Sequence, residues 1–464
     1  MNFTNPCQNE RGVALVISLM FLAILAMLGT TAVVLTTTDM QIGANYKAHA
    51  QAFYDSDAGV NYVIAKMEAG LKAWPRTFTL PTSSTPAIPL ISTFTVPSGF
   101  GFTYPSEITQ ISTDPDVYQF VSSGTGAQSS TASITVGVQR IPAIMFGAFG
   151  DEKVDLKSSS DIYAYSHTDN QSPDIATYPV GFKEGDGDAG SNVAVNLDKN
   201  SLVDGDIGLG EDASGTDASD VTGQGGFTGT DQDVSRVDPD PLGVVDGEYA
   251  DKFTFYSNPA NNDNASLAVV DPGGASITTT GVSLTIGPGA TLTLKGKEGG
   301  SNFYWHDIIV KSDFLYIETT NGPVNIYMTG AFEAKTTSQV INTTHASCST
   351  NGATPETSSC ACCDTANPPN YTCTRGAPSD FSIFANSTTA TDEIVMGNSV
   401  EFSGLIYAPY IEIEMKNSAA IYGALMGKTV EMNNGATLFF DVDLKDKLAS
   451  NDLKVISWRD DRMQ

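Results

Sequence analysis

Basic charge, histidine and tryptophan are all scarce in this chain of 464 residues, and each scarcity removes a class of function. Lys+Arg total 24 against 53 Asp+Glu, a net charge of −29, which repels a phosphate backbone and argues against nucleic acid as a partner. The four histidines, His49, His167, His306 and His345, fall in no metal or base spacing, and no Gly-x-Ser-x-Gly elbow occurs. Three tryptophans are too few for an aromatic sugar platform. No cofactor is implied.

The most informative absence is local, because no charged residue occurs from Val13 to Thr38. As a helix the apolar part, Val13–Leu35, would be about 34 Å long, enough to cross a bilayer core of about 30 Å. A secretory signal, with an apolar core of about 7–15 residues, would be shorter. Arg11 is the one basic residue before the span, so the amino terminus is expected in the cytoplasm and the bulk outside. Past the span, Ile42, Tyr46, Ala50, Phe53, Asp57, Val60, Ile64, Met67 and Leu71 continue at helical spacing until Trp74-Pro75 stops the pattern. The spacing predicts one helix over 13–73, half lipid-soluble and half amphipathic.

A short leader ending in Gly before such a helix resembles the type IV prepilin pattern. Arg11-Gly12-Val13-Ala14-Leu15-Val16 and the later Ala52-Phe53-Tyr54-Asp55-Ser56-Asp57-Ala58-Gly59 resemble, more closely, the PilX N-terminal family of minor pilins. The resemblance implies cleavage by a prepilin peptidase between Gly12 and Val13, removal of residues 1–12, and methylation in the manner of pilins. It also implies an inner-membrane stage and partners among other minor pilins, the major pilin and a large tip adhesin. One departure stands out: the fifth position of the mature chain, Glu in ordinary pilins, is Ile17. In the family picture that Glu pairs with a neighbour's terminal amine inside the apolar filament, where an unpaired charge is costly. The tip pseudopilin of type II secretion resembles this chain in lacking it, so the filament tip or its priming complex is expected rather than the shaft.

Cys7 lies in the leader, and Cys348, Cys360, Cys362, Cys363 and Cys373 cluster in a polar stretch, 343–378, that reads as an insertion loop. In an exported domain these five are disulfide candidates, and their spacing is a poor match to zinc. Pairing is not legible from sequence. Residues 183–246, rich in Asp and Gly, read as acidic loops or thin strands carrying little core. Asp186, Asp188, Asp198, Asp204 and Asp206 are calcium-ligand candidates there, set against the simpler reading of solvated acidic loops. Gly185-x-Gly187-x-x-Gly190 formally matches a dinucleotide fingerprint, but Asp186 and Asp188 would repel a pyrophosphate.

From Trp74 onward the pattern changes to short β-rich runs between Gly, Pro, Ser, Thr and Asn. Residues 74–182 are expected to form a β-rich domain and 247–342 strands that begin a solenoid. Over 379–447 the sequence repeats at an offset of nineteen. Phe381, Val400, Ala419 and Leu438 form one column; Ile383, Phe402, Ile421 and Phe440 a second; Ile394, Ile413 and Met432 a third. Ile411 pairs with Val430, Gly404 with Gly423, and Asn398 with Asn417 as a possible amide ladder. A constant offset of this size is how stacked coils show themselves, so a β-solenoid of about 19 residues per turn is expected. An evenly spaced antiparallel sandwich is the alternative. The charged run Asp441–Lys447 reads as a cap, and 448–464 as a tail. Ser403–Pro409 and Tyr422–Lys428 resemble the β-helical carboxy-terminal module of many PilX-type proteins.

The fold class expected is therefore mainly β, with one long amino-terminal helix. Glu401, Glu412 and Glu414 are the carboxylates a sugar-cleaving β-helix would use, yet alternation alone predicts outward Glu, and no enzyme is expected. A minor pilin at a filament tip is the first expectation. The alternatives are an uncleaved membrane-anchored scaffold or adhesin and a polysaccharide-active enzyme.

Overall fold

The computed structural model describes residues 10–72, 80, 102–103, 108–113, 116–168, 182–210, 221–234, 237, 240, 242–244, 247–270, 277–280, 282–288, 290–311, 314–336, 338–344, 374–447 and 449–460. The chain divides into two compact units, one of residues Met1–Ala69, Phe78–Gln139 and Lys454–Gln464, the other of Gly70–Thr77 and Arg140–Leu453.

The first unit is a helix on an antiparallel sheet. Helix α1 (Glu10–Lys72) packs its second half on a sheet made of strands β1 (Phe102–Thr103), β2 (Thr109–Thr113), β3 (Asp116–Thr125), β4 (Thr131–Pro142) and the C-terminal strand Ala449–Asp460, touching it at β3 and at Trp458. The sheet order is β1-β3-β4-C-terminal strand, with β2 also on β3. The segment expected as a tail is thus a sheet strand.

The second unit is a stack of parallel coils. Thr291–Lys295, Ser301–Trp305 and Ile308–Val310 form one turn and pair in parallel with Phe314–Glu318, Val324–Met328 and Phe332–Ala334. Gln339–Thr344, Phe381–Ala385 and Glu393–Met396 follow. The long strands Glu401–Met415 and Ala420–Met432 then run through all three sides. Side-chain alternation drives the inner residue of each strand to the interior. Leu292, Leu315, Val340, Phe402, Ile421, Leu438, Ile162 and Val203 form one continuous buried column.

The order of coils in space is not their order in sequence. Thr437–Asp441 lies on Ala420–Gly423, but the other two sides of that turn come from strand β5 (Ala148–Leu156), which pairs with Leu425–Met432. Strand β6 (Asp161–Tyr165) then stacks on Thr437–Asp441. The growing end continues through Ala189–Ser191, Val195–Leu197, Leu202–Val203 and Ile207–Gly210 to Asp231–Val234. The run Asp441–Lys447 is therefore not the cap, because β5 and β6 cover the open edge. The stretch expected to carry little core buries Val195, Leu197, Val203, Ile207 and Leu209. Likewise 74–182 is not one domain: β1–β4 are antiparallel and β5–β6 belong to the coils.

One outer side is also covered. Tyr327, Phe384, Tyr407, Met426 and Phe149 lie in register along the stack and are buried by helix α2 (Glu248–Tyr256) and residues 242–244. Tyr249 meets Phe384 at 4.5 Å between ring centroids, and Phe253 meets Tyr327 edge-on at 5.3 Å.

The nineteen-residue offset is real where Glu401 lies beside Ala420, Gly404 beside Gly423 and Ile394 beside Ile413. It does not extend throughout. Ile383 pairs with Ile406 rather than Phe402, and Ile421 with Leu438 rather than Phe440. A register shift between Ala408 and Glu412 sets Val430 beside Ile413 instead of Ile411, and Met432 beside Met415. A bulge moves every later side chain along its partner, and a constant-offset reading does not detect it.

Candidate functional site

The site with the least structural explanation is the first half of α1. Every residue from Val13 to Lys47 is exposed, a length of about 52 Å at helical rise. Val13 is 58% and Ile17 50% exposed. Its hydroxyls are already satisfied: Ser18, Thr30, Thr31, Thr36, Thr37 and Thr38 each donate to a carbonyl three or four residues back, at 2.8–3.1 Å. From Val13 to Thr38 such back-bonding leaves no side-chain donor needing water, the condition for a helix that lives in lipid or among other apolar helices. The apolar surface left bare has no partner within the described residues.

The second half is held by unusually close contact. The buried line on the first unit runs Ala48, Ala52, Ser56, Val60, Val63 and Met67. This differs from the expected stripe, in which Ile42 and Tyr46 turn out to be exposed. The large-residue pattern misplaced the face because small residues make the contact. A Cβ at Gly124 of β3 would lie 2.5 Å from Ser56 N, and closer still to the Ala52 carbonyl oxygen. At Gly126 it would be 3.0 Å from the Ala48 carbonyl carbon. The two backbones are then clasped by polar bonds: Ser56 Oγ donates to the Ser122 carbonyl and Ser122 Oγ to the Ser56 carbonyl, both at 2.8 Å. Ser130 Oγ donates to the Ala48 carbonyl at 2.9 Å. The Ala-x-x-x-Ala-x-x-x-Ser spacing was the available signal in the sequence.

Gly12 and Val13, the expected cleavage pair, both lie within α1, and residues 1–9 lie outside the described residues. Cys348, Cys360, Cys362, Cys363 and Cys373 also lie outside them.

The acidic candidates fall in two corners of the coils, Asp198 in the turn before Leu202–Val203 and Asp186, Asp188, Asp204 and Asp206 at the next. Asp188 accepts from the backbone N–H of Asp206 at 2.9 Å and pairs with Lys445 at 3.0 Å. Asp206 in turn accepts from Thr230 N at 2.6 Å, and buried Asp204 from Thr228 Oγ1 at 2.8 Å. Burial pushes the Asp188 carboxyl above its usual range, against the pull of the Lys445 ammonium. Asp186 and Asp198 are exposed. Each carboxylate that stacks serves the turn above it. Among the described residues no group of three or more His, Cys, Asp or Glu is arranged to hold a metal ion.

Glu401 lies on a different side of the coil from Glu412 and Glu414. Glu414 pairs with Lys416 at 3.1 Å and accepts from Asn433 at 3.0 Å. Glu412 stands beside Glu393 in the next coil, and its carboxyl is raised by partial burial and then by Glu393, Glu431 and Glu414. The amide ladder is present: Asn417 donates to Asn398 at 3.2 Å and Asn434 to Asn417 at 2.9 Å.

The sequence matches the model of the PilX N-terminal family over residues 11–61 and that of a domain of unknown function, DUF7305, over 257–447. No curated protein matches. Among solved structures, the competence-associated pilin ComZ from Thermus thermophilus is similar at 9% identity and a TM-score of 0.28, over 89% of this chain and 97% of that one. An ice-binding protein from an Antarctic biological consortium is similar at 9% identity and a TM-score of 0.28, over 65% of this chain and 93% of that one. A glycosylated ice-binding protein from an Arctic yeast is similar at 13% identity and a TM-score of 0.25, over 65% and 94%. At these scores neither fold nor function is transferred.

Proposed function

We propose, from the premise that residues 11–61 are a PilX-type pilin segment, that this protein is a minor pilin-like subunit of a type IV pilus or related filament. The observation that carries the reading is a helix fully exposed from Val13 to Lys47 and uncharged from Val13 to Thr38, joined by its second half to a small sheet. Such a helix first resides in the inner membrane, with the amino terminus in the cytoplasm. It then leaves lipid to pack against sister helices, where close van der Waals contact replaces acyl chains.

Prepilin peptidase cuts after Gly12, and Val13 becomes the new terminus. Ile17 supports a position at the filament tip or in the priming complex, since an apolar residue there offers no carboxylate to a neighbour's amine. Low copy number also suits the bulk of the coil unit, which a slim shaft would have to repeat. At the tip, the coils serve adhesion or partner binding rather than catalysis. The separation of Glu401 from Glu412 and Glu414, and the pairing of Glu414 with Lys416, support a non-enzymatic role. Partners are other minor pilins, the major pilin and a tip adhesin.

Mass spectrometry of the native amino terminus tests processing. A chain beginning at Val13 is expected, and one that retains residues 1–12 would instead be a permanently anchored scaffold. Immunogold labelling tests position: label at filament ends is expected, and filaments free of this chain would refute the assignment.

A further inference from the structure

The coils are inserted into the sheet of the first unit. Strand β4 ends at Pro142 and the strand that pairs with it begins at Ala449, so two neighbours in one sheet lie about 300 residues apart in sequence. The returning strand matters to α1. Its Trp458 meets Phe53 of the helix edge-on at 5.6 Å, and a Cβ at Gly137 of β4 would lie 3.5 Å from Ser457 Cβ.

The proximity of the two strands is prepared inside the stack. Thr437–Asp441 supplies the first side of the composite turn and β5 the other two, so the chain leaves and enters the coils at one corner. Asp188 clips both pieces there. Its carbonyl accepts from Gly147 N–H on the entering side at 2.8 Å, and its carboxylate pairs with Lys445 on the leaving side at 3.0 Å. Val442 N–H donates to the Tyr165 carbonyl at 2.9 Å, and Ala143 and Ile144 share one buried cluster with Phe440 and Leu444. With the coils closed, only about a dozen residues separate the end of β4 from the start of its partner; with the coils open, about 300 do. Closure probability falls as roughly the −3/2 power of loop length, a ratio of about a hundred.

We propose that this corner is a folding checkpoint on the helix: Ala449–Asp460 completes the seat of α1 only on chains whose coils have closed. A chain with open coils keeps its lipid-soluble half but loses the contact at Phe53 and the strand along β4. The inference needs neither a filament nor a partner, so its failure and that of the pilin reading are separate results.

Amide exchange on the full chain in detergent micelles tests it. Ile326 and Ile406 are fully buried, one on each side of Ile383 in a single column, and Ile326→Asp with Ile406→Asp puts two unpaired charges in the core of the stack. Exchange is read at the lowest urea concentration at which residues 401–432 of this variant exchange freely, against the natural chain at the same urea. Expected is a rise of about a hundredfold at 454–460 and in β4, with faster exchange at Phe53. A second variant holds the strand covalently. Gly137→Cys with Ser457→Cys, in a chain whose six natural cysteines are serine, has the Cβ separation a disulfide needs. With that bond closed, the same two Asp substitutions should leave exchange at 454–460 within about threefold of the closed-coil value. Protection at 454–460 that is unchanged while the coils exchange freely, or a hundredfold rise that persists with the disulfide closed, would each overturn the proposal.

Discussion

Replacing Gly124 by Ala should loosen the whole second half of α1. The added methyl would lie 2.5 Å from Ser56 N and nearer still to the Ala52 carbonyl oxygen, and both are helix backbone atoms that no side-chain rotation can remove. Overpacking of this kind costs about 1–3 kcal/mol. Displacing the helix also stretches the two Ser56–Ser122 bonds of 2.8 Å, each worth about 1 kcal/mol when buried. A total of about 3–5 kcal/mol corresponds to a roughly hundred- to several-thousandfold larger open fraction of that helix segment. Amide hydrogen exchange on the full chain in detergent micelles reads this directly, at residues 52–67 of α1 and in β3. Gly43→Ala is the control, since nothing lies within 4 Å of a Cβ there, and it should slow local exchange through a helix gain of about 1 kcal/mol. Equal exchange in α1 of the Gly124→Ala variant and the natural protein would refute the backbone-contact argument.

Other outcomes follow from the same geometry. Leu156→Ala, in a fully buried position of β5, should cost about 2–5 kcal/mol and raise amide exchange in Thr437–Asp441, far away in sequence but in the same turn; exchange confined to β5 would contradict the composite turn. Glu412→Gln should raise the melting temperature at neutral pH by removing a partly buried charge and, with it, the repulsion from Glu393, Glu431 and Glu414. Because the folded state holds the Glu412 carboxyl above its usual range, ionisation disfavours folding, so this gain should vanish as pH falls below that range; a gain that persists at acid pH would show the cause is not charge. Asn417→Ala should cost about 1 kcal/mol by breaking both links of the Asn398–Asn417–Asn434 ladder, and chemical denaturation that leaves the coils unaffected would show those exposed amides to be idle. Ile17→Glu should let the chain enter filament shafts, with immunogold label shifting from ends to sides; label that stays at the ends would separate tip placement from this position.

Much of the long helix was legible because its signal is additive and local: an uncharged run followed by helical spacing. The coil architecture was legible only where the chain stacks on itself at constant offset, as Glu401 does on Ala420. The face of α1 was misread because Ala48, Ala52 and Ser56 are small, and a pattern weighted by hydrophobic size passes over residues whose value is that they let two backbones touch. The acidic stretch was misread in a related way. Asp188, Asp204 and Asp206 count as polar, but in the fold their carboxylates accept bonds from neighbouring turns.

Sequence by itself determined that this protein has a lipid-soluble helix followed by a β-rich body, since chain-local hydropathy and spacing decide both. Tertiary structure alone decided that β5 completes the turn begun by Thr437–Asp441, and that the last strand returns to the sheet beside α1. Those pairings are chosen by which exposed strand edge remains open after the neighbouring coils have formed. That is a property of the assembled surface, and no local stretch of residues encodes it.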